Sequence, residues 1–136
     1  MSIEINRAVI RRYKEDILNS RDVAALDLIV AEDYLDHAAF PEQGPGRNGL
    51  KQRVEYLFDA FDPHWTVHDM IAERDMVVVR WSHSALHRGE FLGLQATGRA
   101  FTMRGIDMYR VVAGKMSEHW NVVDMFGLYK QVGLLP

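Results

Sequence analysis

Two periods divide the chain. In the first part, apolar side chains recur at helical spacing. Ile5, Val9, Tyr13 and Ile17 fall every four residues, a stripe on one face of a helix. The segment "NSRD" breaks that stripe, with Asp22 placed as an N-cap, and Val23, Leu26, Ile29 and Val30 predict a short second helix. "PEQGPGRNG" is dense in Gly and Pro and reads as a loop. Leu50, Val54, Leu57, Phe58 and Phe61 predict a third helix that ends near Asp62-Pro63. From about residue 64 the period falls to two. "WTVHDMIAE" and "MVVVRWSHSAL" flank "RD" and predict a hairpin. "HRGEFLGLQATGRA" predicts a long, bent connection with bulges. "FTMRGIDMYRVV" and "KMSEHWNVVD" predict two more strands around a turn at Ala113-Gly114, and "MFGLYKQVG" a closing helical turn. Helices first and a mostly antiparallel sheet afterwards is an α+β order. One curved sheet would wrap around the helices and leave a conical cavity wherever they do not fill it.

Composition narrows the class. A chain of 136 residues, 48% hydrophobic and 26% charged, fits one globular domain over residues 1–136 with a real core. A net charge of −3 with scattered Lys and Arg gives no electrostatic case for nucleic acid. The absence of cysteine excludes a disulfide framework, a thiolate nucleophile and a zinc–cysteine site. The charged N-terminus lacks the pattern of a secretory signal. No apolar run approaches the roughly 20 residues that span a bilayer. A cytoplasmic location with no membrane partner is expected. His83 and His87, like His64 and His68, are four apart in strand-like segments. On a strand that spacing is roughly 13 Å, too far to share one ion, and no metal site is expected.

The last hairpin carries the candidate chemistry. A two-residue turn at Ala113-Gly114 sets Val112 against Lys115, Tyr109 against Glu118 and Asp107 against Trp120. Alternation then places Asp107, Tyr109, Glu118, Trp120, Val122 and Asp124 on one face, and Ile106, Met108, His119, Asn121 and Val123 on the other. Apolar walls and a second carboxylate both raise a carboxyl pKa. Such a pair can divide into one protonated and one ionised group, as acid/base chemistry near neutral pH needs. The plainer reading has solvated carboxylates, with Asp124 capping the final helical turn. Arg80 and Arg104 either pair with acidic side chains or reach an anion or enolate in the pocket. Met70, Met76, Met103, Met108, Met116 and Met125 crowd the sheet half, core residues that would also give flexible walls to a bulky ligand.

Several ordered segments carry a resemblance. D-x-V-x-x-R-W stands at Asp75–Trp81, H-x-G-x-F-x-G-x-x-x-T-G at His87–Gly98, G-x-D-x-x-R at Gly105–Arg110 and G-K-M-x-E-x-W-x-x-x-D at Gly114–Asp124, with "YLDH" at Tyr34–His37 upstream. Together they resemble the SnoaL-like polyketide cyclase family, within the larger group that shares the nuclear-transport-factor-2 (NTF2-like, cystatin-like) fold. The resemblance implies a cone-shaped α+β domain, a homodimer, and one deep pocket for a small hydrophobic, polycyclic or polyketide-like ligand. It implies ring closure by intramolecular aldol condensation without metal or cofactor. An Asp would act as general acid/base, and polar neighbours would hold the enolate oxygen. Asp124 and Asp107 are then the candidates for base and partner, with Asn121 and His37 as further catalytic groups. Trp120, Tyr109, Glu118, Arg104, His87, Tyr34 and Phe58 are the candidate substrate contacts. The chain departs from the family pattern at Gln95-Ala96, where prolines are usual, and at Asn121, where Asp is frequent. The expectation is a cofactor-free cyclase or isomerase. The competing readings are a non-catalytic module that binds an apolar ligand in the same cavity, and a hydrolase in the epoxide-hydrolase manner.

Overall fold

A computed structural model of the chain describes residues 2–135. Helix α1 (Ile3–Arg11) starts at Ser2, whose hydroxyl accepts from the Ile5 N–H and so satisfies one orphan donor of the first turn. A π-helical turn, Arg12–Ile17, leads into α2 (Leu18–Ser20). The buried face of this stretch is Asn6, Ile10, Tyr13, Lys14, Ile17 and Leu18. That corrects the four-residue stripe read from the sequence, since Ile5 is 57% exposed. Arg21 adopts a left-handed backbone and ends the helix. Asp22 then caps a 3-10 turn (Val23–Ala25), as the sequence predicts, by accepting from the Ala25 N–H.

One element was not foreseen. The short helix α3 (Leu26–Ile29) is a single turn, and Val30 begins strand β1 (Val30–Asp36) instead of extending that helix. Helix α4 (Gly46–Phe61) starts inside the predicted loop and stops at Asp62, again in a left-handed conformation before Pro63. Strands β2 (His64–Glu73), β3 (Met76–Leu86), β4 (Ala100–Val112) and β5 (Lys115–Val123) follow, with turns at the Arg74-Asp75 and Ala113-Gly114 pairs. Helix α5 (Met125–Gln131) closes the chain. The sheet order is β1-β5-β4-β3-β2. The β1–β5 pair is parallel and the other pairs are antiparallel, so the sheet is mixed but mostly antiparallel. This is the expected α+β layout. The core lies between the helices and the inward face of the sheet, from Ile10, Leu18 and Phe61 to Val77, Val79, Val111 and Met116. The connection after β3 folds back with Phe91 buried 4.5 Å from the Phe61 ring centroid. No helix among the described residues is long and apolar enough to cross a membrane.

The register of the last hairpin differs from the alternation expected. Val112 pairs with Lys115 and Val111 with Met116, but Arg110 then pairs with Glu118. Ser117 is the extra residue of a β-bulge. A one-residue offset moves every later side chain to the opposite face. Tyr109 therefore pairs with His119, and Asp107 with Asn121. His119, Asn121 and Val123 join Asp107 and Tyr109 on the inward face. Glu118, Trp120 and Val122 turn outward, and Val122 is 78% exposed.

Candidate active site

A cavity of about 230 Å³ lies between the π turn, α4 and the inward face of β3–β5. Its walls are apolar, with Leu18, Leu50, Val54, Leu57, Trp65 and Met103 among them. Its floor is charged. Asp107 on β4 is 1% exposed, and its Oδ2 accepts from the Tyr109 hydroxyl at 2.9 Å. The same oxygen forms an ion pair with the ammonium of Lys14. The other oxygen stands 3.3 Å from His119 Nε2. His119 Nδ1 is 2.9 Å from Asp36 Oδ1. Asp36 Oδ2 accepts from Gln43 at 3.0 Å and lies 3.7 Å from the Arg53 guanidinium. The result is one buried chain, Lys14–Asp107–His119–Asp36–Arg53, drawn from the π turn, β4, β5, β1 and α4.

Local structure explains each placement. The Ser117 bulge turns His119 inward, where its ring stacks on Tyr109 at 4.8 Å. Asp36 arrives because β1 runs parallel to β5, with Asp36 in register with His119. Lys14 comes from the π turn, an irregularity frequent at functional sites, and its ammonium lies 4.5 Å over the Trp81 ring. Trp81 pairs with Gly105 on β4. A Cβ at Gly105 would collide with the indole, so only glycine lets Trp81 lie flat across β4.

The electrostatics follow from burial and pairing. Burial pushes the Asp107 carboxyl up, but the Lys14 ammonium and the His119 contact outweigh it and hold Asp107 well below the usual carboxylate range. Burial acts likewise on Asp36, and the hydrogen bond from His119 with its charge brings it down to about 2. Burial pulls His119 down, yet the two flanking carboxylates raise it above the ordinary histidine value. Lys14 is lowered by burial, with Asp107 opposing. The apolar neighbourhood thus holds a histidine that gains protons easily between two carboxylates that do not.

Among the residues expected from the sequence, Asp107, Tyr109, Asn121 and Tyr34 line the cavity. The structure does not bring the others to it. Asp124 is exposed and caps α5 by accepting from the Gly127 N–H at 2.8 Å. His37, Glu118 and Trp120 form a cluster on the outer face. There, His37 Nε2 is 2.6 Å from Glu118 and the His37 ring stacks on Trp120 at 4.8 Å. Arg104 borders an outer groove with Ile106 and Val122. Phe58 packs against Trp65 beneath Arg21. His87 is buried, with Nδ1 3.1 Å from the Thr97 hydroxyl, and ties the two ends of the long connection. Lys14, Asp36, Arg53, Trp81 and His119 were missed as site residues. Lys14 carried a signal: it lies four residues after Ile10 and four before Leu18, a charge set into the apolar face of a helix.

The family described as SnoaL-like polyketide cyclase matches residues 8–132, nearly the whole chain. The chain belongs to the SnoaL-like polyketide cyclase family. It is 40% identical over 136 residues to the aklanonic acid methyl ester cyclase DauD of Streptomyces sp. (strain C5), covering 96% of this chain and 81% of that protein. Among solved structures it is similar to TsrD from Streptomyces laurentii, with a TM-score of 0.89 at 25% identity over 99% of both chains. It also resembles IdmH from Streptomyces antibioticus, with a TM-score of 0.81 at 28% identity over 94% of this chain and 98% of that one. In this SnoaL-like chain, Asn121 faces the cavity beside Asp107.

Proposed function

We propose that the chain catalyses a cofactor-independent, intramolecular aldol-type ring closure on a bulky apolar carbonyl compound held in this cavity. The observation that carries the reading is the buried chain Asp36–His119–Asp107 at the floor of an otherwise apolar chamber. Asp36 orients the imidazole, as the third member of a nucleophile–base–orienter set does. Neutral His119 takes a proton from the carbon beside a carbonyl. The resulting enolate carbon bonds to a second carbonyl carbon of the same molecule. His119 then returns the proton to the alkoxide, so no atom is gained or lost. Asp107 stays ionised and stabilises the imidazolium in between. Because the two groups touch, they titrate as a pair. Asn121 and Tyr34 line the same chamber and position the substrate. One domain over residues 1–136, associated as a homodimer through the outer sheet face, completes this reading; Ile71, Ile106 and Val122 leave that face apolar and exposed.

The first substrate to try is aklanonic acid methyl ester, named for the relative DauD. His119→Gln is expected to lower turnover by roughly 10²–10⁴, the usual worth of a positioned acid/base group. Equal turnover in the variant refutes the assignment. One observation favours a second reading, a binding module without turnover. Asp107 on the cavity floor and Asp36 behind His119 already have full sets of partners. Tight binding without conversion across a panel of polyketide esters would establish that reading.

A further inference from the structure

The charges at the cavity floor do not cancel once His119 carries a proton. Asp36 and Asp107 then face Lys14, Arg53 and an imidazolium, a surplus of one positive charge. The other titratable groups packed here are Tyr13, Tyr34 and Tyr109, which burial pushes up, and His83, which burial pulls down to about 3. All four are neutral near pH 7. Taking a proton from carbon therefore creates the positive surplus in the same step that creates an enolate. A cavity arranged in this way favours the charge-separated state over the neutral ground state.

The donors to receive that enolate are present. Lys14 is 5% exposed, and an ammonium has three N–H groups in its inventory. Asp107 accepts from one, and the Trp81 ring lies beneath the group at 4.5 Å. Among the described residues no other carboxylate pairs with it. The Trp81 indole N–H and the Tyr34 hydroxyl are buried without a hydrogen-bond partner, and both residues line the cavity. Buried donors left unpaired are costly, and an oxygen anion would satisfy them. We propose that Lys14, with the Trp81 N–H and the Tyr34 hydroxyl, is the receptor for the enolate oxygen, and that the cavity selects compounds bearing an acidic enol or phenol over neutral compounds of the same shape. This rests on the enolate chemistry proposed above and names the ligand class it serves.

The probe is 2-naphthol, a planar phenol whose ionisation is read directly by absorbance, with naphthalene as its neutral counterpart. Free phenols such as the tyrosine side chain ionise near ~10. Naphthol bound to the wild-type chain is expected to ionise at least tenfold more readily than free naphthol. Lys14→Arg keeps that shift and Lys14→Gln loses it, and the preference for naphthol over naphthalene falls in Lys14→Gln and not in Lys14→Arg. If Lys14→Gln does not fold, Lys14→Met with Asp107→Leu removes the ion pair without leaving a lone buried charge. The proposal is overturned if naphthol does not bind, if bound naphthol ionises no more readily than free, or if the shift survives removal of Lys14. A shift without turnover of any carbonyl substrate would refute the cyclase reading and leave the receptor standing. Turnover without a shift would do the reverse.

Discussion

The hairpin β4–β5 carries two charge networks of similar composition on its two faces. Inside, Lys14, Asp107, His119, Asp36 and Arg53 form a chain in which Asp107 and His119 are almost fully buried. Outside, Asp75, Arg110, Glu118 and His37 form another chain, with contacts of 2.7, 3.0 and 2.6 Å. Each has a histidine against a carboxylate, and each alternates basic with acidic groups. Only the inner one sits where water does not screen it and where an apolar cavity opens onto it. The outer contacts are short, but Arg110 and His37 are each 39% exposed at the side chain, and pairs of that kind contribute little. Burial, rather than residue type or contact length, separates the inner constellation from the solvated one.

The largest expected effect comes from shifting the register that assigns the faces. Ser117 is the extra residue of the bulge, so deleting it keeps Val111 against Met116 and Arg110 against Glu118 in plain alternation, with His119 still inward. Inserting one residue between Glu118 and His119 instead turns His119 and Asn121 outward or breaks the pairing of Asp36 with His119. Loss of a cooperative unfolding transition, followed by circular dichroism during thermal melting, is expected for the insertion and not for the deletion. An insertion variant that melts like wild type would show that the register is set elsewhere.

Single partners come next. Asp107→Asn is nearly isosteric, yet it leaves the Lys14 ammonium buried without its counter-ion, a change that costs about 3–5 kcal/mol. Urea denaturation should show the loss. Glu118→Gln on the outer face should leave the urea midpoint unchanged within error. Equal effects from the two would erase the distinction between the networks.

The pH dependence of stability sharpens the comparison further. Asp36 and Asp107 have depressed folded-state values. Their contribution is present above the unfolded carboxylate value of ~3.9 and is lost as pH falls toward 2. His119 has a raised folded-state value. Its contribution is complete below the unfolded histidine value of ~6.5 and is lost as pH rises through the folded one. Wild type should therefore lose stability relative to His119→Gln as pH rises from about 6 to 9, read from urea midpoints at each pH. Parallel curves would remove His119 from the buried chain.

Much of the fold was legible in the sequence because periodicity reports which face is buried. The "RD" and Ala113-Gly114 turns, the Asp22 cap and the β2–β5 strands all follow from local chemistry. Strand β1 was not legible, because Val30–Asp36 follows a helical turn without a break and its pairing with β5 is long-range. The site was half legible. Asp107 and Tyr109 came out of simple alternation on β4. His119 did not, because a bulge at Ser117 has no local mark in "KMSEHW", and alternation carried across it inverts β5. Asp36 sat unread inside the quoted "YLDH". Asp124 drew attention as an acid near the end of an apolar run, but its side chain serves the first turn of α5.

The pH profile of kcat/KM for ring closure tests the central claim most directly, measured on wild type and His119→Gln with the same substrate. His119 must be neutral to accept a proton, and its neighbours raise its affinity for one. Wild-type kcat/KM is therefore expected to rise with pH through an apparent value above ~6.5, the ordinary histidine value, and that limb should vanish in His119→Gln. A limb at an ordinary carboxylate value, or one that survives in the variant, would contradict the account.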